Sequence, residues 1–551
     1  MIGNTIPEYL FIRASITALR LIAPASIVYL GASAYYFSFL VSPWIGAFAI
    51  AEASFYLLVY LPRKRFLQAA PTYKPPPLTR SQRRKLFLKC CANLDIIREP
   101  DGVPYPAGWF LLPASQSQLR RHDLIDWLLW SLFSCSPEEA KPRKEEWKEE
   151  LDEYVAKIEE QLGQKLNDGR EDGVTSMRLT LDPVKMVHRP LLWYSIVCLV
   201  DTMTSLSLLH FGFKHYSTTQ KWFQTFPPRP LLSFLSHKAD ISPDILLPYW
   251  YRPHKSSTKL PILFLHGIGI GMYPYLGFLR ELIAQDPDVG ILLVELLPIS
   301  MHMTTHPIPP RPLLIKALNE ILESLDISRV VLMAHSYGTF IAAYILRPPY
   351  TQDSDPESDT QVHLSLLRKL TNTVLVDPIP ILLHLPPVAH NFLHRTPSGA
   401  AHWQLWYFAS TDADVARTLG RAFFWEEGVL WKGEIRSYMR GEGEGSARSE
   451  GRNVAIVLAG DDQIVPSGSV RQYLTEEKEA VPRWLSKGWA WHLDGDDGSQ
   501  IVDHLEEALN RKGGDLEVLF YPGLDHAMVF DSPKRREGIL NILSRFVVEL
   551  D

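Results

Sequence analysis

Cysteine is scarce in this chain of 551 residues: only Cys90, Cys91, Cys135 and Cys198 occur, all in the first two-fifths, and two of them are adjacent. That spacing excludes a disulfide framework and favours a reducing compartment over secretion. Asn-x-Ser/Thr acceptor sites are missing altogether, in weak agreement with that reading. Long blocks of like charge are also missing, and the net charge is only -6, so the chain carries no electrostatic footprint for nucleic acid. No repeat of fixed period is visible. What remains is a composition 46% hydrophobic and 21% charged, ordinary for a globular protein with a large core. The length implies more than one folded unit.

The first segment departs from that ordinary pattern. No charged residue occurs from Leu21 to Ala51, and apolar character continues to Leu61. The stretch is too long for a signal peptide and lacks a cleavage site. Ser42-Pro43 near its middle divides it, so Ile16–Leu40 and Trp44–Leu61 are expected to form a membrane hairpin within an anchor spanning 1–66. Arg13 and Arg20 flank one end and Arg63-Lys64-Arg65 the other, which places both ends, and the domain that follows, on the cytosolic side. Endoplasmic reticulum and lipid droplet both suit such a hairpin. A single span and a buried hairpin of a soluble protein are the alternatives. Glu52 inside the second segment is costly in lipid and needs a protein or aqueous neighbour.

Residues 67–245 read as a proline-rich linker followed by a helical accessory region. Thr79-Arg80-Ser81-Gln82 fits a capping box. Leu119–Phe133 and Glu145–Leu166 carry apolar residues at helical spacing, and the charges of the latter are expected to face solvent. Leu191–Phe213 is apolar but interrupted by Asp201; a buried helix packed on the following domain is preferred, with a membrane-apposed helix as the alternative.

From 246 to 551 strand and helix patterns alternate, the signature of an α/β fold with a mostly parallel, doubly wound sheet. Strands are expected near 260–265, 290–295, 329–334, 372–377, 453–459 and 515–520, and helices near 273–284, 312–325, 338–347, 467–476 and 534–549. Residues 378–450 are long enough to form a lid, with a low-complexity stretch at Gly441–Ser446, and 478–512 form a second insertion.

The chemistry gathers at strand ends. Ala334-His335-Ser336-Tyr337-Gly338 lies between the strand-like Val330–Met333 and the helix-like Phe340–Leu346, the pattern of a nucleophile elbow in an α/β-hydrolase fold. Small residues are needed around the serine because the sharp turn presses it against its neighbours. Upstream, Leu263-Phe264-Leu265 runs into His266-Gly267-Ile268-Gly269-Ile270-Gly271, where backbone N–H groups can meet a developing oxyanion. The N–H groups of Ile268 and Tyr337 are the expected donors, supported by His266, Gly267 and Gly269. A nucleotide loop is disfavoured, since no Lys-Ser/Thr follows and the dinucleotide spacing is absent. His526, after the last strand, is the expected base, and Asp462, after the strand before it, the expected acid; Asp377 is the alternative acid. His335 is read as structural. This chemistry asks for no cofactor and no metal.

The segments Phe264–Gly271, Ala334–Thr339 and Asp377-Pro378-Ile379-Pro380, with Arg189–Tyr194 upstream, resemble those of membrane-associated α/β-hydrolase-fold proteins common in fungi. The resemblance implies an esterase- or lipase-like activity. The expected function is therefore a membrane-anchored serine hydrolase of carboxylic esters, lipid esters included. An acyltransferase using the same acyl-enzyme, and a tethered scaffold without catalysis, are the alternatives. The expected partners are a small-molecule ester or lipid and a membrane, with no nucleic acid; the oligomeric state is unreadable from sequence.

Overall fold

The computed structural model describes residues 5–93, 105–111, 119–218, 225–229, 240–349, 357–442, 451–475 and 516–548, together with Gly3 and Leu232. The second insertion expected at 478–512 and most of the Gly441–Ser446 stretch lie outside the described residues.

Among the described residues, eight strands form one sheet. They are β1 (Lys214–Tyr216), β3 (Tyr249–Arg252), β4 (Ile262–Leu265), β5 (Ile291–Val294), β7 (Val330–His335), β8 (Leu370–Val376), β9 (Val454–Ala459) and β10 (Leu516–Tyr521). Their order is β1-β3-β5-β4-β7-β8-β9-β10. From β5 to β10 every neighbour is parallel, while β1 and β3 add an antiparallel edge. Two short strands, β2 (Thr225–Phe226) and β6 (Met303–Thr304), pair separately.

The six parallel strands match the six expected from sequence because each is built around a run of large apolar residues. Along β7, Val330, Leu332 and Ala334 enter the core on one face, and Val331 and Met333 the core on the other. A strand buried on both sides has no polar alternation, and such runs are legible locally. β1 and β3 escaped the sequence reading: Lys-His-Tyr and Tyr-Trp-Tyr-Arg are too short and too mixed to show a period. The crossover helix Glu357–Lys369 was likewise missed.

Helices Leu276–Gln285 and Pro533–Phe546 cover one face of the sheet. Helices Arg311–Ser324 and Tyr337–Leu346 cover the other, and there the core continues without a break into 381–439 and the accessory helices. Thr79 caps helix Arg80–Ala92 as expected, its Oγ1 accepting from the Gln82 N–H at 3.3 Å. One charge on helix Lys144–Leu162 departs from the solvated face expected of it. Glu150 is buried, and its carboxylate accepts from Arg83 Nη2 at 2.6 Å and Arg83 Nε at 2.9 Å. A buried carboxylate requires such a bidentate partner to offset its lost hydration.

Among the described residues, three helices are long and apolar enough to cross a membrane: Ile6–Tyr35, Pro43–Phe66 and Leu191–His210. The break at Ser42-Pro43 is real, with the Ser42 hydroxyl capping the second helix. Glu52 is fully buried and accepts from the Leu191 N–H at 2.7 Å, with His188 Nε2 at 3.1 Å. The protein neighbour that its charge demands is thus supplied by the chain itself.

Candidate active site

Ser336 stands between the end of β7 and helix Tyr337–Leu346, with φ 51° and ψ -119°. A non-glycine residue in that region is strained, and the surroundings must enforce it. The Ser336 N–H donates to Val376 O at 2.9 Å on the neighbouring strand. A Cβ placed on Gly338 would fall on the carbonyl oxygen of Leu265 and 2.7 Å from its carbonyl carbon. One placed on Gly267 would lie 2.7 Å from the Ser336 Cβ. The ends of β4 and β7 are therefore pressed backbone to backbone, and Gly338→Ala is expected to destabilise the protein by about 3 kcal/mol or more, measured by denaturant unfolding.

His526 and Asp462 reach Ser336 from the loops after β10 and β9. His526 Nε2 lies 2.8 Å from Ser336 Oγ, and His526 Nδ1 lies 2.7 Å from Asp462 Oδ2. The other oxygen of Asp462 accepts from the N–H groups of Ile464 at 2.7 Å and Val465 at 2.9 Å. All three side chains are buried. An imidazole so placed can take the proton of a serine hydroxyl while a carboxylate orients it. Burial alone would lower the pKa of His526, but Asp462, with Asp377 and Asp525 nearby, outweighs it and raises the value to about 9.

Asp377, the alternative acid, makes no hydrogen bond to the His526 ring. Its two oxygens accept from the N–H groups of Ala459 at 3.0 Å and Ala527 at 2.8 Å. It thereby anchors the residue after His526 to the end of β9. His335 Nε2 stands 3.6 Å from Asp377, and His335 Nδ1 is 2.8 Å from Tyr275 Oη. Burial lowers the pKa of His335 and keeps it neutral. Ligand atoms of His335, Asp377 and His526 all lie within 4.8 Å of one another. As a metal set they fit poorly, because His335 Nδ1, both His526 nitrogens and both Asp377 oxygens already have protein partners.

The turn after β4 divides its N–H groups between two tasks. The Gly267 N–H donates to Tyr275 Oη at 3.1 Å and the Gly269 N–H to Ile299 O at 3.1 Å. His266 braces the same turn: its Nε2 accepts from the Leu296 N–H at 2.9 Å, so Nδ1 carries the proton donated to Gly267 O at 2.8 Å. Buried and desolvated, this imidazole has its pKa lowered to about 4. Among the described residues, no acceptor takes the N–H of Ile268 or of Tyr337. Both residues line the same pocket as Ser336, and Tyr337 opens a helix whose N-terminal dipole favours negative charge.

Two residues that sequence reasoning overlooked complete the frame. Asp525 accepts from His526 N–H at 2.7 Å, Gln463 N–H at 2.8 Å and Gln463 Nε2 at 2.9 Å, stitching the histidine loop to the acid loop. Tyr275 holds both the Gly267 turn and His335. Neither lies in a motif. Only adjacency to His526 marked Asp525, and nothing local marked Tyr275.

Above Ser336 lies an apolar pocket of about 30 Å³, walled by Ile379, Val388, Phe392, Leu393, Leu419 and Phe423 of the 378–450 segment. Leu179 of the accessory region adds to that wall.

Residues 262–536 match the alpha/beta hydrolase family. The chain carries an α/β-hydrolase domain. Its mostly parallel sheet and the elbow at Ser336 are the features of that fold already described. Similar solved structures include a membrane phospholipase A described as a bacterial virulence factor, 12% identical, covering 64% of this chain and 94% of that one at a TM-score of 0.34. Carboxylesterase CesB from Bacillus subtilis is 10% identical, covering 64% of this chain and 97% of that one, also at 0.34. Naproxen esterase from Bacillus subtilis is 12% identical, with 64% and 98% covered at 0.34. No curated protein matches the sequence.

Proposed function

We propose that this hydrolase domain is a serine esterase, held at a membrane by its apolar N-terminal helices, that cleaves carboxylic esters with apolar acyl groups, lipid esters among them. The observation that carries the reading is the hydrogen-bonded line from Ser336 Oγ through His526 to Asp462, at 2.8 Å and 2.7 Å. In this reading His526 Nε2 takes the serine proton as Oγ attacks the ester carbonyl. The oxyanion forms against the N–H groups of Ile268 and Tyr337. The imidazolium then returns the proton to the leaving alkoxide, and water, activated by the same histidine, releases the acid from the acyl-serine. Asp462 holds the imidazole in the tautomer that the first step needs.

The apolar wall over Ser336 supports an apolar acyl group. A pocket of about 30 Å³ is far smaller than an acyl chain, so a long chain requires the roof of Phe392, Leu393 and Phe423 to move. Phe423 is stacked on Phe340, with ring centroids 4.1 Å apart and an interplanar angle of 20°.

The test is covalent labelling of the full chain in detergent by a fluorophosphonate probe, with the labelled peptide identified by mass spectrometry. One label on Ser336 is expected, together with faster turnover of butyryl than of charged acyl esters. Absence of labelling in the folded protein, or equal labelling after Ser336→Ala, overturns the reading.

A further inference from the structure

Helix Leu191–His210 has two unlike faces. Trp193, Tyr194, Val197, Thr204, Ser205 and Leu208 are buried against the body of the protein. On the opposite side Leu192, Ile196, Leu199, Met203 and Leu206 are between 40% and 60% exposed. Their spacing of three or four residues makes one continuous stripe. The stripe carries no acidic or basic side chain before His210, and the hydroxyl of exposed Ser195 is turned back to Leu191 O at 3.0 Å. A run of large apolar side chains along four turns marks a contact surface rather than a solvated one.

The occupant follows from what the helix adjoins. Its first N–H is held by Glu52 at 2.7 Å, and the ring of Tyr194 packs on Phe55 at 5.6 Å, both on the second apolar helix. Glu52 lies eleven residues before Arg63, so at 1.5 Å per residue the junction sits about 16 Å from the basic end of that helix. Lys64 and Arg65 at that end are exposed, as headgroup-facing cations would be. If they lie at the surface of a hydrocarbon layer about 30 Å thick, the start of Leu191–His210 lies well inside it. Ile50, Leu57 and Leu58 of the second apolar helix are exposed as well.

We propose that the stripe Leu192-Ile196-Leu199-Met203-Leu206 is a third membrane contact, lying in the lipid rather than crossing it, and that its partner is a phospholipid surface. This rests on the membrane reading of the N-terminal helices. Crossing is prevented by the inner face: Asp201 is bonded to Arg229 at 2.8 Å, and Arg229 to Glu295 beside β5 at 2.7 Å. That chain of charges ties the helix to the segment that follows β5. The helix also shares one apolar cluster with Met301, Met303 and, partly buried, Ile270 of the turn after β4. Seating it in lipid therefore brings the oxyanion turn within one layer of side chains of the lipid phase.

Two measurements test this. In the full chain reconstituted into phosphatidylcholine vesicles, an NBD fluorophore is placed at Leu199→Cys on a Cys198→Ala background, and separately at Lys316→Cys, an exposed site on another helix. Blue-shifted emission and several-fold stronger quenching by doxyl-labelled lipid at 199 than at 316 are expected. Equal, water-like emission at both positions overturns the proposal, whether or not the protein hydrolyses esters. In the second measurement, Leu199→Glu with Leu206→Glu is expected to reduce hydrolysis of a vesicle-embedded ester about tenfold while leaving a short water-soluble ester unaffected. Unchanged hydrolysis of the embedded ester overturns the proposal too. A wild-type chain that cleaves neither ester sinks the esterase reading alone, and the quenching result still decides the membrane contact.

Discussion

Ser336→Ala is expected to lower kcat/KM for a p-nitrophenyl ester by about 10⁴-fold or more while leaving the fold intact. The substitution removes one atom, Oγ, whose hydrogen-bond partner is His526 Nε2 at 2.8 Å. Alanine loses no other contact of the elbow: the N–H bond to Val376 O belongs to the backbone, and the left-handed strain at φ 51° is the same for both residues. The residual rate would come from the N–H groups of Ile268 and Tyr337 and from substrate binding, which in comparable sites retain about 10³-fold over water. Steady-state kinetics with circular dichroism on the same sample checks both halves. A loss below tenfold with unchanged structure would remove the serine from the chemistry.

Asp462→Asn is expected to cost about 10⁴-fold in kcat, because an amide holds the imidazole in the wrong tautomer. Asp377→Asn separates the two carboxylates. Asp377 touches the N–H of Ala527 rather than the ring, so its replacement is expected to cost about tenfold or less in rate and about 1–3 kcal/mol in stability, since a side-chain amide satisfies the N–H groups of Ala459 and Ala527 poorly. The pH profile distinguishes them further. In the proposed mechanism catalysis uses neutral His526, so kcat/KM is expected to rise with pH through the pKa of the histidine–carboxylate pair, raised to about 9, and to level above it. Removing the negative charge of Asp377 destabilises the imidazolium, so the rising limb is expected to move to lower pH in Asp377→Asn. If Asp377→Asn cost as much rate as Asp462→Asn, the acid would be Asp377.

The comparison of these two aspartates shows where sequence reading reached its limit. Both follow apolar strands, β8 and β9, and both precede short loops, so nothing local ranks them decisively. Their roles diverge by which atom of the His526 loop each can reach, a consequence of how the loops after β9 and β10 are joined. Gly460 N–H to Tyr521 O at 2.8 Å and Asp461 N–H to Leu524 O at 2.9 Å make that joint. Tyr275 and Asp525 were hard to read for the same reason: each also bonds a distant segment, Tyr275 to His335 and Asp525 to Gln463.

By itself the sequence determined the parallel strands, the elbow around Ser336, the glycine-rich turn after β4 and the break between two apolar helices. Each is a local matter. A strand buried on both faces is mostly apolar, a serine in a strained turn needs small neighbours, and a Ser-Pro pair starts a new helix with the serine as its cap. Tertiary structure alone decided which N–H groups of the turn stay open, which aspartate meets the imidazole, and which face of Leu191–His210 is exposed. Those depend on distances between residues far apart in the chain, and a one-dimensional pattern contains no such distances.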